Sequence, residues 1–174
     1  HAFVSALEVV VRVLREFAAH AFVRSSACLC AGTLCRVIGT PAVALANELV
    51  ELLLEVVGGA ASSSVKKRKA APTPAAAAAP PSSSSPATRL ATRAAKVALA
   101  RVLEAGVMPS ALLDRVVDVA LPSLNASTGA ESTVEDEDED DARASTELLS
   151  ALGTWADVRL VLDSVAKRVP RSRH

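Results

Sequence analysis

The sequence predicts an all-α protein, and three observations carry that expectation. Seven stretches repeat apolar residues at the i, i+3, i+4, i+7 spacing of one helix face, and no stretch keeps the alternation of a half-buried strand. Gly and Pro fall mostly between those stretches, where helices start and stop. The apolar share of the 174 residues is 51%, carried by Ala, Val and Leu with only 2% aromatics. Such small and aliphatic side chains let helices approach closely.

The first helix is drawn by Phe3, Leu7, Val10, Val11, Leu14 and Phe17, with Glu8, Arg12, Arg15 and Glu16 on its polar side. A second is expected over residues 21–38, with Val23, Ala27, Ala31, Leu34 and Ile38 in register and Gly39 placed to end it. Pro41 suits the first turn of a third, striped by Val43, Ala46, Leu49, Val50, Leu53 and Val57 and stopped by Gly58-Gly59. A fourth uses Leu90, Ala94, Val97, Ala98 and Val102 up to Gly106, and Pro109-Ser110 opens a fifth with Leu112, Leu113, Val116, Val117, Ala120 and Leu121. The sixth is expected over 142–152, with Leu148, Leu149 and Leu152. The seventh covers 155–169, with Trp155, Val158, Leu162, Val165 and Val169 in register. Thr154-Trp155-Ala156-Asp157 has the form of a capping box at its start, and Pro170 closes it.

Two segments interrupt this pattern, dividing the chain into helical segments 1–59, 87–125 and 142–170 and a basic tail, 171–174. Residues 60–86 are Ala, Ser and Pro around one basic cluster, without the apolar period that could offset the entropy of ordering. Residues 126–141 end in seven consecutive carboxylates, which repel one another, so the sequence alone places them in a solvated loop.

Composition also narrows the function. Nineteen basic and nineteen acidic residues give zero net charge, so no whole-chain field favours nucleic acid or membrane. No window offers about 18 uncharged apolar residues for a membrane span, and the best stretch, 41–57, carries Glu48, Glu51 and Glu55. No membrane partner is expected. Three cysteines, Cys28, Cys30 and Cys35, make no disulfide framework and point to a reducing compartment. On one helix Cys30 points about 200° away from Cys28, so the three thiols cannot converge on a metal. Asn125-Ala126-Ser127 would be a glycosylation site only in a secreted protein. The His1 start and Arg173-His174 end are those expected of a piece of a longer polypeptide.

The stretch Phe22-Val23-Arg24-Ser25-Ser26-Ala27, continuing through Leu29, Gly32 and Leu34, resembles the second helix of a HEAT or armadillo repeat, in which a Val-Arg pair opens an aliphatic run. Asp157-Val158-Arg159 with Leu162 and Val165 looks similar. The resemblance covers about two thirds of the chain, with the linker and acidic segment interrupting the ~40-residue period. It implies antiparallel helix pairs stacked as a short, HEAT-like α-solenoid with the two interruptions as surface insertions; the alternative is a helical bundle. It implies, too, a surface for docking proteins, less often nucleic acid, without chemistry of its own.

Catalytic and cofactor signals are sparse. Of three histidines, His1 and His174 are terminal and His20 falls in a predicted turn, and neither a Gly-rich phosphate loop nor a Gly-x-Ser-x-Gly turn occurs. Neither enzymatic activity, a cofactor nor a small-molecule substrate is expected. The candidate sites are therefore charged ones. Lys66, Lys67, Arg68 and Lys69 form the cluster that nuclear import receptors read, and the expected location is nuclear, with the cytoplasm as the alternative. Arg89, Arg93 and Lys96 stand at i, i+4 and i+7, a basic stripe that could contact phosphates of DNA or RNA. Glu135, Asp136, Glu137, Asp138, Glu139, Asp140 and Asp141 form an acidic interaction loop. Ser85, before Pro86, and Ser132 and Thr133, each with an acid three residues on, are phosphorylation candidates. The sequence thus predicts a non-enzymatic scaffold fragment of a larger intracellular α-solenoid whose partners are other proteins, with a helical nucleic-acid-binding module as the alternative.

Overall fold

The computed structural model describes residues 2–62, 85–121, 136–155 and 158–166. Among them are seven α-helices and no strand: α1 Ala2–Glu16, α2 Ala21–Ile38, α3 Val43–Ser62, α4 Pro86–Glu104, α5 Leu113–Ala120, α6 Asp136–Thr154 and α7 Val158–Ala166. Single turns of 3-10 helix, Thr40–Ala42 and Ser110–Leu112, lead into α3 and α5, with Pro41 inside the first and Pro109 capping the second. The linker candidates Lys66, Lys67, Arg68 and Lys69, together with Ser132, Thr133 and Glu135, lie outside the described residues.

Glycine ends a helix where it takes a positive φ, which other residues adopt only with strain. Gly39 at φ 64° closes α2, its N–H donating to the Cys35 carbonyl at 2.8 Å, and Gly106 at φ 68° follows α4. Gly58-Gly59, expected as a stop, does not act as one: α3 runs on to Ser62. A helical Gly costs only about 1 kcal/mol against Ala, and Ala60 and Ala61 continue the helix.

The acidic segment also departs from expectation, because α6 begins at Asp136 and takes six of the seven acids into its first two turns. Carboxylates at a helix N-terminus are favoured by the macrodipole, and the last two have cationic partners on α4. Thr154 is not the cap of α7. Its hydroxyl donates back to the Ser150 and Ala151 carbonyls as part of α6.

Helix α4 lies at the centre and packs most extensively on α2, then on α6 and α3. Ala91, Ala94, Ala95, Ala98, Leu99, Ala100, Val102 and Leu103 are all buried, covering most of its circumference. Each helix from α1 to α5 touches its second neighbour, whereas α2 and α3 meet only slightly. The contacts give direction as well. Gly32 meets Ala98 and Arg36 pairs with Glu104 at 3.7 Å, so α2 and α4 run the same way. Arg93 pairs with Asp140 and Lys96 reaches Ser145, so α6 runs with them.

The closest described approach of α2 to α4 is at Gly32. Ala27, Cys28, Ala31, Gly32 and Cys35 are buried on α2, and a Cβ at Gly32 would stand 2.9 Å from the Ala98 Cα and 3.2 Å from its Cβ. Antiparallel pairing of consecutive helices would set Leu29 and Leu34 of α2 against Leu49 and Leu53 of α3, but α2 and α3 meet only slightly. Leu49 and Leu53 are fully buried on α3, but Leu29 is 40% exposed, because α2 turns its small face to α4. In α7 the buried positions are Val161 and Ser164, and Leu162 is 60% exposed. Phe3 of α1 and Phe17, just beyond its end, are likewise exposed while Leu7, Val11 and Leu14 form the core face of α1.

Candidate functional site

The basic stripe of α4 is the feature the fold treats most differently from the sequence expectation. Lys96 precedes Ala98 by two residues, about 200° around the helix, so the stripe faces α6 while Ala98 faces α2. Lys96 is 5% exposed, and its Nζ donates to both oxygens of the Asp141 carboxylate at 2.8 Å and to the Ser145 hydroxyl at 3.0 Å. Ser145 in turn donates to the Asp141 carbonyl at 2.9 Å. Arg93 pairs with Asp140. Arg93 and Lys96 are therefore engaged by carboxylates of the same chain, and the structure brings these basic and acidic candidates together. A buried ammonium is sustained only when paired and hydrogen-bonded, and the acid run supplies that partner. Arg89, on the same stripe, is exposed.

Ser85, the described phosphorylation candidate, is the N-cap of α4. Its hydroxyl accepts from the Thr88 N–H at 3.3 Å and lies 2.9 Å from the Thr88 hydroxyl, with Pro86 at the first helical position.

The Val23-Arg24 pair lies in the first turn of α2. Arg24 donates to the Ala18 carbonyl at 3.1 Å, tying the start of α2 to the turn that follows α1. Beside it, Val10, Val13, Phe22, Val23, Ser26, Ala27 and Cys30 line an open groove of about 470 Å³ between α1 and α2. Phe22 is 69% exposed. Sequence reasoning placed Val23 and Phe17 in the core; nothing in a helical period tells which apolar face a further element covers.

The cysteines divide by the same geometry. Cys28 and Cys35 are buried and Cys30 is exposed at the groove. Burial pushes the Cys28 thiol up to about 12, against a smaller lowering by Arg24, and the Cys35 thiol up to about 11. The described residues contain no cluster of His, Cys, Asp or Glu suited to a metal. Helix α2 alone among the described helices has the length and mean hydropathy, 1.4, to cross a membrane, a property shared by core helices that bury a small-residue face. Compared with family models, curated proteins and solved structures, the chain matches none.

Proposed function

We propose that this chain is a non-enzymatic segment of an α-solenoid, resembling HEAT repeats, that docks other proteins on its helix faces. The observation carrying the proposal is the pairing of second neighbours: α2, α4 and α6 form one row, α1, α3, α5 and α7 touch in sequence as another, and α2 and α3 barely meet. In a simple up-and-down bundle, helices joined by short turns are the principal neighbours. Stacked pairs instead place like helices side by side and running the same way, as α2, α4 and α6 do.

The apolar groove between α1 and α2, with Phe22 and Val23 at its rim, is the surface best suited to a protein partner, since exposed apolar patches of this kind serve association. The test is to cross-link the wild-type chain and the variant Phe22→Asp in their native extract and identify the bound proteins. Under this proposal a defined partner is captured by wild type and by Glu51→Ala but not by Phe22→Asp. Equal capture by all three removes the groove from the account.

Nucleic-acid binding is the second proposal, and its support lies in the Lys66–Lys69 cluster of the sequence, since Arg93 and Lys96 are paired internally. A salt titration of duplex binding separates the two, because phosphate contacts weaken steeply as salt rises. For the cellular location we propose the nucleus, on the strength of the Lys66, Lys67, Arg68 and Lys69 run.

A further inference from the structure

The two halves of α6 are held to α4 by different forces. From Leu148 onward α6 buries Leu148, Ala151 and Leu152. Between Asp140 and Thr146, by contrast, Ala144 is the one apolar side chain that is buried; Ala142 is exposed. What fixes this leading part is charge: Asp140 on Arg93, Asp141 and Ser145 on Lys96. Opposing that attraction is the cost of keeping Lys96 out of water. Both carboxylates of the contact are about half exposed, at 50% and 49%, so water competes for them.

We propose that the leading turns of α6, through Ser145, are an electrostatic strap that lifts from α4 as a unit while the Leu148 half stays docked. Closed, the strap hides Lys96 and engages Arg93. Open, it leaves both on the solvent side of α4 as a continuous cation stripe. This inference goes beyond the docking proposal and stands on the contacts between α4 and α6 alone.

The geometry requires that the exposed pair can be broken from either helix with the same result. Arg93→Gln removes the clasp cation on α4 and favours the open strap. Asp140→Asn removes its carboxylate on α6 and favours the open strap as well. The experiment measures amide exchange along α6 and the rate at which an amine-reactive ester labels Lys96, in the full chain. For Arg93→Gln, the 140–146 amides and the Lys96 amine should react faster by about threefold, the order expected for one partly exposed ion pair, with the 149–154 amides unchanged. For Asp140→Asn both rates should rise by a similar factor, and the double variant should open no further than either single one. Protection of the α2 and α4 amides establishes that each variant is folded, and if Arg93→Gln is not, Asp140→Asn decides alone. Rates that do not move, or amides 140–146 that open only together with 149–154, overturn the strap.

Discussion

Two glycines inside helices provide a paired test of how closely α2 and α4 approach. Gly32 and Gly58 both sit within α-helices, and neither has a positive φ, so replacing either by Ala should contribute about 1 kcal/mol of helix propensity. The surroundings differ. A Cβ at Gly58 meets nothing within 4 Å, whereas at Gly32 it meets the Ala98 backbone at 2.9 Å and the Arg101 stem at 3.2 Å. The Arg101 side chain can move, but the Ala98 Cα can do so only by separating the helices. Overpacking of this kind costs about 1–3 kcal/mol. Gly58→Ala should therefore stabilise the chain by about 0.5–1 kcal/mol, while Gly32→Ala should be neutral or destabilising by up to about 2 kcal/mol. The difference between them, about 1–3 kcal/mol, cancels the propensity contribution they share. Urea titration followed by helical circular dichroism reads it directly. If Gly32→Ala stabilises the chain as much as Gly58→Ala, the two helices are farther apart than described. If Gly58→Ala destabilises, α3 ends at that glycine.

Leu53 is fully buried in α3 and Glu51 is exposed, so Leu53→Ala should cost about 2–5 kcal/mol in the same titration. Glu51→Ala should change stability by under about 0.5 kcal/mol. Equal effects would place Leu53 at the surface. A maleimide at neutral pH should modify Cys30 and spare Cys28 and Cys35, and mass spectrometry of the native chain gives the count. The two buried thiols titrate near 9 when unfolded but at about 12 and 11 when folded. Their contribution is thus complete below pH 9, and above it stability should fall with rising pH, by up to about 1.4 kcal/mol per pH unit for each thiol. Cys28→Ala/Cys35→Ala should flatten that slope between pH 9 and 10, and an unchanged slope would show that other groups cause it. Replacing Lys66, Lys67, Arg68 and Lys69 by Ala in a reporter fusion should abolish nuclear accumulation; an unaltered distribution rejects the import signal.

The helices were legible because the 3.6-residue period writes itself into the choice of Leu and Val at positions such as Leu7, Val11 and Leu14. Gly39 and Gly106 marked their ends for the same local reason. Which apolar face meets which neighbour was not legible. In α2 the larger residues Val23 and Leu29 outweigh Ala27, Ala31 and Gly32 in any hydropathy pattern, yet the small face is the one that admits α4. The acidic run misled for a related reason. Repulsion among seven carboxylates is a local property, whereas the partners of Asp140 and Asp141 stand 47 and 45 residues earlier in sequence. The basic stripe was visible as i, i+4, i+7 spacing, but its occupation by the chain's own acids depends on α4 and α6 lying side by side.

The central claim, that helix pairs stack in rows, is tested most directly by distances along the row α2, α4, α6. Spin labels at position pairs 33/101, 101/150 and 33/150, in a Cys30→Ser background, would be measured by pulsed dipolar spectroscopy. Thr33 and Arg101 are in hydrogen-bond contact at 2.7 Å, and Ser150 is an exposed position on α6. Adjacent packed helices stand about 8–10 Å apart. Stacking predicts similar short distances for the first two pairs and a 33/150 distance longer by about one such spacing. A 33/150 distance no longer than 33/101 would mean that the helices close into a bundle, contradicting the stack.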